Sequence, residues 1–372
     1  MVSRRKLPLM NMSVLDQPST PLAVFDRGDE LRGANHEQIV FCRDERTGLR
    51  AIIAIHDTTL GPGLGGTRFY PYANESLALT DALRLSEGMT YKAAGAGVPL
   101  GGAKAVIIGD PATQRTEALL ECFGRFVESL GGRYYTAADV GTTSEDLDVI
   151  GRTSTHVVGR TTAAGGSGDS GYATALGVFS AMQAAATATW GGNGLVDKVV
   201  GVEGVGKVGR HLVTLLQSVG ARVVVSDPRP AALSELDGND SRVRVVDSVL
   251  SDELDVYAPC ALGASLTATS VAQLKAKVVC GAANNQLADN SVAQALKDRS
   301  ILWVPDYLAN AGGLIQVGGE LTNDRQADVL ARVRRIEHTV TEVIRSALAT
   351  NLTTLQAASI VVNQRLIAGR ER

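Results

Sequence analysis

Hydrophobic and polar positions along this chain repeat with the two periods of strand and helix, and the order in which the two elements alternate changes partway along. Near the start, 38–42 and 49–55 are short apolar runs, and 44–48 between them carries turn residues, so the pattern predicts a β-hairpin. Ala78, Ala82, Leu85, Met89 and Lys92 then step by four, three, four and three, which is one face of a helix predicted from about 75 to 94. A glycine-rich loop is expected after it, then a strand over 105–108. A second helix is expected over 116–130, through Leu119, Leu120, Phe123, Phe126 and Val127. A short strand from 134 ends in Asp139, and 144–150 reads as a further helix. From about Gly165 the pattern becomes strands alternating with helices, which signals βαβ units on a parallel sheet. Strands are expected at 198–203, 222–227, 255–261, 277–282 and 301–306. Helices are expected at 171–188, from 209 to 219, at 326–350 and at 354–370.

Two positions break the pattern in a way that suggests chemistry. Lys92 ends an apolar stripe, where a charge is out of place, and Lys104 stands just before an apolar run. Two cations aimed into one crevice suit a small carboxylate and a base of lowered pKa. A snorkelling lysine beside a flexible loop fits the same letters. Asp139, beside glycine and threonine at a strand end, is placed either for chemistry or to cap the next helix. The run from Gly61 to Arg68 is expected to be a loop whose glycines offer main-chain N–H groups to an anion. His56, alone at a strand end, reads as structural.

The second half carries a more specific signal. The strand at 198–203 runs directly into Gly204-Val205-Gly206-Lys207-Val208-Gly209, a helix follows, and the next strand ends in Asp227. Strand, G-x-G-x-x-G, helix, strand and acid together describe a dinucleotide site. The first glycine makes the turn, and the second lets the backbone approach a pyrophosphate at the helix N-terminus. Asp227 should bond the adenosine ribose and repel a 2′-phosphate, which favours NAD over NADP, although Arg229 lies close by. Glu203 should point away from this site by strand alternation. Ala283-Asn284-Asn285 and Asn310 stand at later strand ends, where ligands of such sheets bind, and their neutral amides suit a nicotinamide carboxamide or a substrate.

Composition changes the picture mainly by exclusion. The 372 residues are 45% hydrophobic and 20% charged, ordinary for a globular protein of two domains. Forty glycines is roughly one and a half times the average usage of about 7%. That favours tight βα turns and close approach to ligands. The net charge of -3, with no basic block beyond Arg4-Arg5-Lys6, leaves no footprint for nucleic acid. The four cysteines, Cys42, Cys122, Cys260 and Cys280, lack metal-type spacing and fit a reduced, cytoplasmic protein, with Cys260 and Cys280 buried and inert. No metal site is expected. Residues 1–20 read as a flexible tail rather than a signal peptide, and no run is long enough to span a membrane.

In order along the chain, GPGLGGTRFYPY, GMTYKAA, GGAKAV, TAADVGT, GVGKVG, APCALG, GAANNQL and PDYLANAGGLIQV resemble the motifs of the glutamate, leucine, phenylalanine and valine dehydrogenase superfamily. The likeness covers about residues 36–345, and GTRFYPYA and CGAANNQLA bring the valine branch nearest. It implies an α/β substrate domain over 21–160, a doubly wound Rossmann domain over 161–350 with the active-site cleft between them, and a C-terminal helix over 351–372. It also implies NAD-dependent, reversible oxidative deamination of an L-amino acid to a 2-oxo acid with release of ammonia, by a homo-oligomer. Matched by motif, Lys92 would hold the substrate carboxylate with main-chain help near Gly65 and Gly66. Lys104 would activate water, and Asp139 would exchange protons with the amino group without a metal. Asn310 would contact substrate near the nicotinamide, and Thr174 would lie close to that ring.

The resemblance has one departure: Ala103 stands where the family usually has glycine, a strain if that position needs positive φ. For the substrate side chain, the motif match points to Leu64, Ala137, Val340 and Val343, the last two by an ungapped count from Asn310. Leu64 and Ala137 leave a short apolar pocket suited to valine, leucine or isoleucine, and no charge there suits glutamate. A phenylalanine- or tryptophan-type enzyme is the alternative within the family. A catalytically silent NAD-binding protein of the same fold is the alternative outside it.

Overall fold

The computed structural model describes residues 36–371 except 193, 235 and 237–241, so the tail expected at 1–20 lies outside the described residues. The hairpin forms as expected. Strands β1 (Gln38–Asp44) and β2 (Leu49–Asp57) pair antiparallel around a turn in which Asp44 accepts the Thr47 N–H at 2.8 Å and Gly48 adopts φ 73°. Strand β2 also runs antiparallel to β4 (Gly101–Ile108), which pairs in parallel with β3 (Gly63–Tyr70), itself parallel to β5 (Tyr134–Ala138). The order is β1-β2-β4-β3-β5.

Alternation along β2 and β4 gives this sheet two apolar faces. Ile52, Ala54 and Val106 face helix α1 (Glu75–Ala96), whereas Ile53, Ile55 and Ile107 face α2 (Glu117–Glu128) and α3 (Ser144–Ile150). Two expectations are corrected here. Residues 63–70 are a buried strand rather than a loop, and β4 begins at Gly101, so Lys104 lies inside the strand. The sequence hid this because glycine is a poor strand former; its use here is close packing. A Cβ on Gly102 would fall 2.1 Å from the Thr90 nitrogen, so α1 can rest directly on β4 only without one. The expected loop after α1 is instead a helix end, capped at Gly97 in the left-handed region (φ 66°).

The second unit is a six-stranded, all-parallel sheet of β6 (Val199–Glu203), β7 (Arg222–Ser226), β8 (Val243–Val245), β9 (Val256–Pro259), β10 (Val278–Val279) and β11 (Leu302–Trp303). Its order, β11-β10-β9-β6-β7-β8, reverses direction between β6 and β9. That is the switch point of a doubly wound sheet, where such folds bind dinucleotides. The last two expected strands shrink to two residues each, and β8 carried no sequence signal.

Helix α4 (Gly171–Trp190) packs on α5 (Gly209–Ser218), and the chain continues through α6 (Asp306–Ala309) and α7 (Gly312–Leu321). The helix expected over 326–350 is broken at Arg335 into α8 (Gln326–Arg334) and α9 (Ile336–Thr350). Helix α10 (Thr354–Arg370) returns to the first unit. There Arg365 donates to the carbonyls of Ala94 and Gly95 at 2.8 and 2.6 Å, and Arg370 pairs with Asp57 at 3.2 Å. The last helix is therefore a strap between the two units.

Candidate active site

A cavity of about 580 Å³ lies between the two units. Its first wall is built from β3, β4, the end of β5 and one side of α1. It brings together Leu64, Gly65, Gly66, Lys92, Lys104, Ala137 and Asp139, which were picked out separately along the sequence. Lys104 Nζ lies 2.5 Å from Asp139 Oδ2, and Arg68 Nε reaches the same oxygen at 3.2 Å. Burial pushes the Asp139 carboxyl up, but Lys104 and Arg68 outweigh it and hold the pKa down to about 2. Asp139 does not cap α3; Thr143 does, in a capping box with Asp146.

Two glycines let these groups approach. A Cβ on Gly66 would lie 2.9 Å from the Asp139 Cβ, and Gly141, just past Asp139, turns at φ 82° against the Phe69 carbonyl. Burial pushes Lys92 down to about 8, with Asp306 opposing the shift and Lys104 adding to it. Five cations line the cavity, Arg68, Arg84, Lys92, Lys104 and Lys207, against the carboxylates of Asp139, Asp169 and Asp306. Asp81 pairs with Arg68 and Arg84 and adds one more anion, which leaves a single positive surplus. A chamber of that charge favours a ligand carrying one carboxylate.

Ala103 is not strained. It lies in β4, fully buried, and is not among the residues with positive φ. Its methyl group faces Gly63, where an added Cβ would meet it at 2.9 Å, so the missing side chain across the sheet accommodates the extra carbon.

The second wall comes from the parallel sheet. Asn310 is 3% exposed and donates from Nδ2 to the Ala282 carbonyl at 3.1 Å and to Asn284 Oδ1 at 2.8 Å, while its Oδ1 has no partner among the described residues. The Asn285 N–H donates to Asp306 at 2.5 Å, and burial pushes the Asp306 carboxyl above its ordinary range. Thr174, near the start of α4, lines the cavity opposite Gly313. Asn284 and Asn285 line it too; Ala283 is not part of the wall and is 5% exposed.

The glycine turn reaches the cavity through Lys207 and Val208, and Lys207 pairs with Asp169 at 3.1 Å. Gly204 turns at φ 94°, and a Cβ on Gly209 would lie 2.0 Å from the Gly204 carbonyl oxygen. A Cβ on Gly206 would meet only Arg229, at 3.5 Å, so that backbone is open to a phosphate, and α5 starts without a side-chain cap. Asp227 accepts the Val205 N–H at 3.0 Å. Arg229 covers it, with Nε and Nη2 at 3.0 and 2.9 Å from its two oxygens, and leaves the Asp227 side chain 2% exposed. The residues thus fit a dinucleotide, provided Arg229 turns aside from the ribose position. Glu203 points away, as alternation required, and accepts the Tyr257 hydroxyl.

Val340 and Val343 are placed differently from the expectation. Both are 1% exposed in the packed cluster that also holds Leu64 and Ala137, but neither borders the cavity. Helix α9, which carries them, lies mainly against α4, and the apolar wall is completed by Leu314 and Val317 of α7. Arg68 has no signal in the sequence, although it closes the GLGGTR run, because a single arginine inside a glycine-rich strand breaks no visible period. His56 bonds Thr90 at 2.8 Å beside His36 and is structural. Burial raises the thiol of Cys260 to about 12 and pushes up that of Cys280 as well, so neither is reactive.

A Rossmann sheet facing a glycine-lined lysine–aspartate pair across a cleft defines a dehydrogenase that acts on a small carboxylate with a nicotinamide dinucleotide. The chain belongs to the Glu/Leu/Phe/Val dehydrogenase family, and is thus an amino acid dehydrogenase acting on a CH–NH2 group: residues 36–156 match that family's dimerisation domain and residues 229–371 its glutamate/leucine/phenylalanine/valine dehydrogenase domain. It is 49% identical to the valine dehydrogenase of Streptomyces albus over 341 residues, 91% of this chain and 94% of that one. It is 44% identical to the phenylalanine dehydrogenase of Caldalkalibacillus thermarum, over 90% of this chain and 92% of that one. Among solved structures, L-tryptophan dehydrogenase from Nostoc punctiforme superposes with a TM-score of 0.79 at 39% identity, covering 92% of this chain and 98% of that one. The reading as a silent NAD-binding protein gives way to the enzyme. Among the described residues no helix is long and apolar enough to cross a membrane.

Proposed function

We propose that the protein catalyses the NAD-dependent, reversible oxidative deamination of valine, leucine or isoleucine. L-amino acid, water and NAD+ give 2-oxo acid, ammonium, NADH and a proton. The observation that carries this reading is the 2.5 Å Lys104–Asp139 pair in a cleft with one surplus positive charge. Lys92 takes the α-carboxylate, with main-chain groups at Gly65 and Gly66. Asp139, held ionised, accepts a proton from the ammonium group and returns one to the departing ammonia. Lys104, once it has lost its own proton to solvent as substrate binds, takes one from the attacking water and, charged again, steadies the oxygen that water becomes.

The nicotinamide, when bound, accepts the hydride from Cα. Asn310 Oδ1, buried and unpartnered, suits an N–H donor of substrate or carboxamide. Thr174, Asn284 and Asn285 frame that end with Ala283 packed behind them, Gly204 to Gly209 cradle the pyrophosphate, and Asp227 takes the ribose hydroxyls and disfavours NADP. Leu64 and Ala137, with Val340 and Val343 packed behind, shorten the side-chain pocket. The higher identity to a valine dehydrogenase than to a phenylalanine dehydrogenase supports the aliphatic choice. A homo-oligomer is favoured by the dimerisation-domain match and by strand β1, which among the described residues pairs only with β2 and exposes Phe41. Four free cysteines suit the cytoplasm.

The test is NADH oxidation with ammonium, comparing 3-methyl-2-oxobutanoate with phenylpyruvate, and a Lys104→Ala control. Faster turnover on the branched acid, lost in the control, is expected. Faster turnover on phenylpyruvate would favour the aromatic-type alternative.

A further inference from the structure

We infer that Arg68 is a positioning residue that locks Asp139 against Lys104 and ties that pair to the helix carrying Lys92. The inference rests on the roles given above to Asp139 and Lys104. Both cations reach one oxygen of Asp139, Oδ2, which leaves Oδ1 without a side-chain donor among the described residues. The guanidinium is itself fixed at its other side: Arg68 Nη1 lies 2.7 Å from Asp81 Oδ2, and that oxygen also accepts the Tyr72 hydroxyl at 2.6 Å. Arg84 holds the second Asp81 oxygen at 3.1 Å. The Arg68 and Asp81 side chains are only 23% and 13% exposed, so water competes weakly for these bonds.

The two carboxylates belong to different elements. Asp139 follows β5, whereas Asp81 lies on α1, eleven residues before Lys92. Eleven residues are about three helical turns, so Asp81 and Lys92 share one side of α1. Arg68 therefore fixes the distance between the carboxylate-binding lysine and the proton-handling acid. The task needs two donors in fixed directions, which a guanidinium offers and an ammonium does not. Its charge matters as well. Lys104 and Asp139 alone are a neutral pair, and a second cation keeps the proton off Asp139 until substrate supplies one.

The experiment is the pH profile of kcat/KM for deamination in Arg68→Met, Arg68→Lys and Asp81→Asn, with melting temperature and NAD binding as checks on the fold. Removing a cation raises the pKa of every neighbouring group, so in Arg68→Met the acidic limb is expected to move up by about one pH unit. Its kcat should fall roughly 10- to 100-fold, with NAD affinity little changed. Arg68→Lys should recover part of both effects, and Asp81→Asn, which keeps the cation but removes its anchor on the helix, should lower kcat by a smaller factor without moving the acidic limb upward. A wild-type acidic limb in Arg68→Met would overturn the proposal. If that variant does not fold, a wild-type kcat in both Arg68→Lys and Asp81→Asn would do so. Asp139→Asn separates the layers. If it stays active, the roles assigned to the pair fail; if it is dead while Arg68→Met titrates like wild type, only the role of Arg68 fails.

Discussion

Gly102 and Thr90 touch backbone to backbone: a Cβ on the glycine would stand 2.1 Å from the Thr90 nitrogen and 2.2 Å from its hydroxyl. Lys92 is two residues beyond Thr90 and Lys104 two beyond Gly102, so this contact sets the distance between the two lysines. A methyl group must push α1 off β4. Gly102→Ala is expected to cost roughly 1–3 kcal/mol by overpacking and to lower kcat/KM by at least tenfold. Ala103→Gly, one residue along, should leave kcat unchanged and cost about 0.5–1 kcal/mol through backbone entropy. Melting temperatures and steady-state kinetics of the two variants decide the matter. A silent Gly102→Ala, or a crippled Ala103→Gly, would contradict the packing.

That contact also shows where the sequence was legible and where it was not. The period of α1, the helix at 354–370 and the whole turn from Val199 to Asp227 could be read because burial imposes a repeat on side chains. The strands holding Gly63, Gly65, Gly101 and Gly102 could not, because their glycines answer to a neighbouring backbone that local sequence does not contain. Lys104 stands out as chemistry in the sequence, but for that reason the strand is visible only after it. Arg68 acts through Asp81 and Asp139, at separations of 13 and 71 residues, and no local pattern encodes such a link. Val340 and Val343 were placed by counting across a stretch that includes the turn at 322–325 and the break at Arg335, and a linear count cannot tell which side of α9 meets the cavity.

Lys92 is stored at a cost that substrate relieves. Its pKa is pushed from 10.5 to about 8, chiefly by burial, so between those values the unfolded chain binds a proton that the native one does not. Stability therefore rises with pH from about 8 to 10.5, and below about 8 the charged lysine costs the native state about 3 kcal/mol. Lys92→Met should remove this pH dependence and raise the melting temperature at pH 7, while KM for the 2-oxo acid rises roughly 100-fold with the lost ion pair. Wild-type enzyme should also take up protons on binding a 2-oxo acid near pH 8.5, seen as buffer-dependent heat in calorimetry, because the ligand's carboxylate restores the lysine's affinity for its proton. A lower melting temperature in Lys92→Met with unchanged KM would mean that the lysine is structural.

Side-chain selection should reside in the wall that borders the cavity. Leu64 lies on it and is 1% exposed, whereas Val340, equally buried, lies behind it. Leu64→Ala lengthens the pocket by about the depth of an isopropyl group. One or two methylenes of pocket are worth roughly 1–3 kcal/mol of discrimination, so the kcat/KM ratio of phenylpyruvate to 3-methyl-2-oxobutanoate should rise about 10- to 100-fold. Val340→Ala also removes buried carbon, but from the packed core against α4, so it should cost roughly 1–3 kcal/mol of stability and leave that ratio within about twofold. Measuring both substrates on both variants separates the two positions. An equal change of ratio in Val340→Ala would mean that α9 joins the pocket wall once substrate closes the cleft, and that the ungapped count from Asn310 located a contact made only in the closed state.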